Sequence, residues 1–427
     1  MKKIFNIFLF AAAATLGLGS CADDDLSSES IFDVRPDLID KTQFSAPLDS
    51  FCKKNFLQTY NVDFKYKMQD ISSSVDKNLT PASYSKCEEM AVLIKYLWYD
   101  VYRQNVGDSE ADGTEFLKQN SPRIIHLIGS KNMNPVQGTE ILGTSEGGIK
   151  VTLYRSNTLD INDLDYCNKY FFKTMHHEFG HVLHSRYVVP LEYRQLSSGF
   201  YDALGWQETC DSVALGDGFI SQYSRNNYND DFVEMLANYV TMTPKVWEDH
   251  LAKAAFQWEE VTYDRDSHGW QQFDKIRAKY AREGGDIDSI GYIKSQTETK
   301  LTIVRKIIKR DVTEEKNDYA FAIPDEDGKI QYIFKEEGKT GTELILKKLS
   351  LLREWMKEHY NADIDKLRNA VLTRSYVMDE NGEIVYDERG KAVNRILQPY
   401  GGMPTLVEYL VNEMRNYNTV DTFDFIK

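Results

Sequence analysis

His177-Glu178-Phe179-Gly180-His181 has the residue types and the spacing for metal chemistry. On an α-helix, positions i and i+4 share a face and stand about 6 Å apart along the axis. Two imidazoles placed in this way can grip one zinc ion. Glu178 directly follows the first histidine, so its carboxylate falls beside the metal. There it can take a proton from a water whose pKa the zinc lowers from about 16 to about 7. The flanking residues separate this motif from a surface helix that happens to carry two histidines. Phe171, Phe172, Met175, Phe179, Val182, Leu183, Val188 and Val189 put apolar groups on most of the circumference, which is the pattern of a buried helix. Buried imidazoles and a buried carboxylate need partners, and a shared metal supplies one to all three.

A catalytic zinc usually takes three protein ligands. The metzincin pattern, H-E-x-x-H-x-x-G-x-x-H, is excluded, because His184 stands at its glycine position and Tyr187 at its last histidine. His184 lies about 10 Å along the axis from His177, too far for the same ion, and reads as structural or as a supporting partner. His176 points off the metal face and reads as structural. The strongest remaining donor is Glu234, in Asn229-Asp-Asp-Phe-Val-Glu-Met-Leu-Ala-Asn-Tyr-Val240. Asn229 or Asp230 can cap this helix. Asp231, Glu234 and Asn238 form a polar stripe on an otherwise apolar cylinder. Glu192, Glu208 and Asp211 are weaker donors. Asp231, one turn before Glu234, could hydrogen-bond a metal histidine, with helix capping as the other reading.

The elements around the motif read as strand, helix, three strands, metal helix. Val62, Phe64, Tyr66 and Met68 alternate as on a strand, and Thr80-Pro81 opens a helix to about Arg103. Residues 123–128 read as a buried strand, and 140–144 with 149–154 as a hairpin. This order resembles the N-terminal half of a zincin metallopeptidase. The resemblance implies that 149–154 is an edge strand along which an extended peptide could lie. His177, Glu178, His181 and a glutamate on an Asp-Phe-Val-Glu helix resemble a gluzincin, as in thermolysin and anthrax lethal factor, over roughly residues 50–245. That resemblance implies Glu234 as third ligand. It also implies Tyr228, by rough analogy with a tyrosine of lethal factor, as an oxyanion donor.

The chain has 427 residues and a formal net charge of −15, or −17 without the first twenty, which contribute only Lys2 and Lys3. Such acidity argues against nucleic acid and an anionic membrane surface as direct ligands. Lys2-Lys3 and the apolar run Ile4–Leu18 read as a signal segment, too short to span a membrane. Leu18-Gly19-Ser20-Cys21 resembles a bacterial lipobox, which implies Cys21 as a lipid-modified first residue. Asp23-Asp24-Asp25 resembles the surface-export signal of lipoproteins from SusC/SusD-type nutrient importers. Together with the metal motif, this resembles the zinc metallohydrolase lipoproteins associated with those systems. It implies an outer-membrane, surface-exposed location and an import complex as a partner. Cys52, Cys87, Cys167 and Cys210 allow three pairings or none.

Further on, helices are expected at 247–256, 269–282, 287–309, 342–360, 362–371 and 404–416. Hairpin turns are expected at Pro324–Gly328, Asp379–Gly382 and Asp387–Gly390. The expected architecture is α+β: signal 1–20, tether 21–45, a zincin-like domain at 46–310 and an accessory α+β region at 311–427. The expected function is zinc-dependent hydrolysis of a peptide or glycoprotein by Glu178 with Zn2+. A non-peptide amidase or esterase, or a metal-stabilised subunit without turnover, are the other readings.

Overall fold

Short apolar runs bounded by turn residues form a small sheet, and the long amphipathic segments pack beneath it. A computed structural model describes residues 39, 42–68, 78–134, 138, 140–146, 148–265, 267–282, 284, 291–306 and 340–419. The expected signal segment, Cys21, most of the tether and the turn at Pro324–Gly328 lie outside these residues.

The chain enters through α1 (Ala46–Cys52) and β1 (Asp63–Lys65). Only three residues of the alternating run pair as a strand, but Val62, Phe64 and Tyr66 are all buried on its inner side. A helical segment follows as α2 (Tyr84–Ile94), a wider turn at Lys95–Tyr99, and α3 (Asp100–Asn105). After α4 (Glu110–Asn120) come β2 (Ile124–Leu127), the pair β3 (Asn132–Met133) and β4 (Glu140–Ile141), then β5 (Gly143–Glu146) and β6 (Lys150–Leu153). The main sheet has the order β1-β2-β6-β5, parallel until β5, which runs antiparallel to β6. This corrects the placement of the edge. The strand at 149–154 is interior, paired on both sides, and β5 is the open edge nearest the motif helix. β5 pairs antiparallel with β6 on the side away from β2, so the earlier strand of the pair becomes the rim.

Beneath this edge lies α6 (Lys173–His184), reached through α5 (Leu164–Cys167) and a wide helical turn at Asn168–Phe172. Next come α7 (Leu191–Leu196), α8 (Asp211–Gly216), α9 (Tyr228–Thr241) and α10 (Pro244–Ala254). Packing of α9 on α6 forms the centre of the molecule. A three-stranded antiparallel sheet of β7 (Trp258–Asp264), β8 (Gly291–Gln296) and β9 (Lys300–Lys306) carries α11 (His268–Arg282). Within the helix expected at 287–309, the described residues 291–306 form a hairpin instead. Thr297 to Lys300 forms its turn, and Leu301 and Ile303 alternate inward against Phe273 of α11. The β-branched run favours a half-buried strand once a partner face exists.

The chain returns through α12 (Gly341–Tyr360), α13 (Ile364–Ser375) and α14 (Leu406–Arg415). Between the last two, single bridges at Met378–Ile384 and Tyr386–Ala392 mark the two turns expected at Asp379 and Asp387. Ile345, Leu352, Trp355 and Met356 of α12 enter the same buried core as Phe56, Trp98, Phe179 and Leu236. Residues of α12, α13 and α14 thus share one buried core with residues between 48 and 254. Cys52, Cys87, Cys167 and Cys210 are buried free thiols. No described helix is long and apolar enough to cross a membrane.

Candidate metal centre

The apolar residues of α6 set its roll. Phe179 is buried against Trp98, Tyr102 and Phe116, which turns His177 and His181 toward α9. Gly180 lets α9 come close. A Cβ there would stand 2.8 and 2.9 Å from Cγ1 and Cβ of Val233. His176 points the other way and pairs through Nδ1 with the Tyr102 hydroxyl at 3.1 Å, and burial lowers its pKa to about 3. It is structural, as expected.

His177 and His181 bring their Nε2 atoms to 3.1 Å. Asp230 Oδ1 lies 3.2 Å from His181 Nε2 and 3.8 Å from His177 Nε2. Four-coordinate zinc with bonds of about 2.0–2.2 Å spaces its ligand atoms by about 3.4 Å, so these three atoms outline one face of such a tetrahedron. Among the described residues they form the one cluster of three or more such side chains with metal-ligand spacing.

The remaining ring atoms support this assignment. His177 Nδ1 donates to Glu234 Oε1 at 2.9 Å, which leaves Nε2 unprotonated in the neutral ring. His181 Nδ1 pairs with His184 Nε2 at 2.8 Å. Burial pulls the pKa of His184 down to about 4, so its ring is neutral, and in the tautomer in which its Nε2 accepts that bond His181 presents a bare Nε2. Two lone pairs and a carboxylate oxygen converging in a buried space repel one another unless a cation sits between them. The donor set thus fits zinc.

This arrangement changes the expected roles. Glu234 does not reach the converging atoms. Its Oε1 lies on the far nitrogen of His177, and its Oε2 accepts from Lys173 at 3.1 Å, Ser221 at 2.6 Å and Asn238 at 3.0 Å. Burial opposes its charge, but Lys173 and His177 hold its pKa well below the usual carboxylate range. The carboxylate that lies beside both Nε2 atoms is that of Asp230. Its Oδ2 is pinned by the side-chain amides of Asn226 at 2.5 Å and Asn227 at 2.6 Å. Asn227, not Asn229 or Asp230, caps α9, accepting from the backbone N–H groups of Asn229 and Asp230. The signal for this arrangement in the sequence is the spacing of four that joins Asp230, Glu234 and Asn238. Asp231 is correspondingly turned about 100° away and touches neither histidine. It pairs with Lys348 and Tyr201.

Tyr228 is also displaced from its expected role. It is partly exposed, with the Arg194 guanidinium 4.9 Å above its ring. Tyr223, seven residues before Asp230, lies against the site instead. Its ring centroid is 5.7 Å from that of His177, and Trp206 packs edge-on against it at 4.8 Å. Burial raises its pKa. Glu192 is exposed and paired with Lys347, and Asp211 binds the backbone of Gln222. Neither these nor Glu208 joins the cluster.

Glu178 is buried, which raises its pKa against the pull of the two histidines. It lies close under β5, where a Cβ on Gly143 would be 3.2 Å from its Oε1. Two cavities meet at Glu178 and His177. One of about 350 Å³ runs under Glu140, Leu142 and Trp206, and one of about 430 Å³ opens past Thr144, His181 and Tyr223. A third of about 570 Å³ lies beyond Lys173, Tyr223 and Glu234.

Residues 41–365 match a sequence family described as "Putative zinc-binding metallo-peptidase". The crystal structure of a protein so described from Bacteroides caccae is similar, with 26% identity and a TM-score of 0.50 over 77% of this chain and 92% of that one. No curated protein matches.

Proposed function

The chain belongs to the zinc-binding metallo-peptidase family matched by residues 41–365, and from that premise we propose that it hydrolyses peptide bonds at the centre formed by α6 and α9. The observation that carries this reading is the convergence of His177 Nε2, His181 Nε2 and Asp230 Oδ1 beside Glu178 in the wall of an open cavity. These three side chains would hold the zinc. When bound, zinc supplies a Lewis acid that acidifies water and polarises a carbonyl.

The rest of the chemistry belongs to the protein. Glu178 accepts the proton of the attacking water and passes it to the leaving nitrogen. Its burial raises its basicity. The Tyr223 hydroxyl donates to the oxygen on which charge develops. Glu234 keeps the His177 ring in one tautomer, and Lys173, Ser221 and Asn238 keep Glu234 ionised. The free edge of β5 offers backbone groups to an extended peptide. Leu18-Gly19-Ser20-Cys21 supports a lipid anchor at Cys21, and Asp23-Asp24-Asp25 supports display at the outer-membrane surface beside a SusC/SusD-type importer.

The test is Glu178→Gln, with zinc content and peptide cleavage measured on the same preparation. We expect one zinc per chain in parent and variant, and a loss of turnover of about 10²–10⁴-fold. Unchanged turnover on a peptide that the parent cleaves would sink this mechanism. A parent that cleaves acylated or amidated non-peptides but no peptide would move the reading to an amidase or esterase.

A further inference from the structure

Asp231 stands next to the proposed ligand Asp230 but points into the opposite side of the fold. There its Oδ2 meets Lys348 Nζ at 2.7 Å, and both side chains are fully buried. The same ammonium donates to the Gly218 carbonyl at 2.8 Å and lies 4.2 Å from the Phe219 ring centroid. Asp231 Oδ2 also accepts from Tyr201 at 2.9 Å.

Each of these contacts leads to a segment that carries part of the site. Asp231 belongs to α9, which bears Asp230 and Glu234. Gly218 and Phe219 open the loop that delivers Ser221 to Glu234 and Tyr223 to the face of His177. Tyr201 starts the segment that places Trp206 against Tyr223. Lys348 comes from α12, more than a hundred residues further on. The approach is tight, because a Cβ on Gly218, whose φ is +85°, would stand 2.6 Å from Leu344 Cβ.

A fully buried ion pair is a poor device for stability, since desolvating both ions offsets most of their attraction. What it supplies is a fixed geometry among the groups it joins. We propose that Lys348 is a positioning residue of the metal centre, the shared anchor that holds α9 and the 218–225 loop so that Asp230 and Tyr223 face the histidines. This rests on the zinc-centre reading above.

The test compares three full-length variants with the parent. Lys348→Met leaves Asp231 buried and unpaired and should lower the melting temperature of the metal-free protein. Lys348→Met combined with Asp231→Asn removes both charges, keeps an acceptor for Tyr201, and should melt near the parent. Lys347→Met, at the exposed neighbour, is the control. Zinc affinity is read by competition with a chromophoric chelator, and kcat and KM are read on one cleaved peptide. In the double variant we expect zinc affinity to fall about 10–100-fold and kcat to fall while KM changes little, because Lys348 lines no cavity at the motif helix. A double variant that folds and keeps parental zinc affinity and kcat overturns the inference. So does one that fails to fold where Lys347→Met folds, since the pair is then structural. A parent that binds no zinc overturns the metal-centre reading itself, and this inference with it.

Discussion

At the residue scale, the centre turns on which of two carboxylates one helical turn apart touches the metal. The 3.2 Å approach of Asp230 to His181 and the 2.9 Å bond from His177 to Glu234 assign different tasks to them. Asp230→Ala removes a donor atom, whereas Glu234→Gln only loosens the ring that carries one. The latter should cost about 10–100-fold in zinc affinity and the former more. The order is read by chelator competition, and a reversed order would restore Glu234 as ligand. The tyrosines separate in the same way. Tyr223→Phe should lower kcat about 10²–10³-fold, while Tyr228→Phe, under Arg194 and away from the cavities, should leave it within about twofold. Steady-state kinetics on one peptide settles both.

At the element scale, the site exists because α6 and α9 approach more closely than a side chain at position 180 would allow. Gly180 is the contact. In a free helix, Gly→Ala stabilises by about 1 kcal/mol. Here the added methyl would meet Val233 at under 3 Å, and overpacking costs about 1–3 kcal/mol. The clash therefore outweighs propensity, and Gly180→Ala should lower the melting temperature and weaken zinc binding. Adding Val233→Ala makes room and should recover part of both. A single variant more stable than the parent would show that the helices can part without cost. β5 matters in a different way: as an open antiparallel edge above Glu178, it sets the direction in which a bound peptide would run.

At the scale of the whole molecule, α12 makes the last quarter of the described residues part of the body that holds the site. It contributes Ile345, Leu352, Trp355 and Met356 to the central core and Lys348 to the back of the site. A chain ended at 310 would leave that apolar surface bare and Asp231 unpaired. It should be insoluble, or lack a cooperative thermal transition by circular dichroism. A soluble, cooperatively melting fragment would support the boundary expected from sequence. Zinc itself should stabilise the full chain by about 2.7 kcal/mol at a free concentration one hundred times Kd, seen as a higher melting temperature that chelation reverses.

The sequence by itself determined the chemistry of α6. H-E-x-x-H on a helix with apolar flanks left few alternatives, because a spacing of four is a local property of the helix and burial demands partners. It also located β1, β2 and most of the helices, whose periodicity is equally local. Tertiary structure alone decided the rest. Asp230 lies beside both Nε2 atoms, and Glu234 on the far nitrogen of His177, because α9 packs on α6 with Val233 against Gly180. Tyr223 lies against His177, and Tyr228 under Arg194, because the loop before α9 folds back onto the His177 ring. β5 is the edge because the hairpin turns outward, and 291–306 is a hairpin because α11 offers Leu301 and Ile303 a face. Lys348 reaches Asp231 from 117 positions further along the chain, a distance over which no spacing in sequence carries information. Contacts of that kind depend on how elements pack, and packing is selected by the whole core at once.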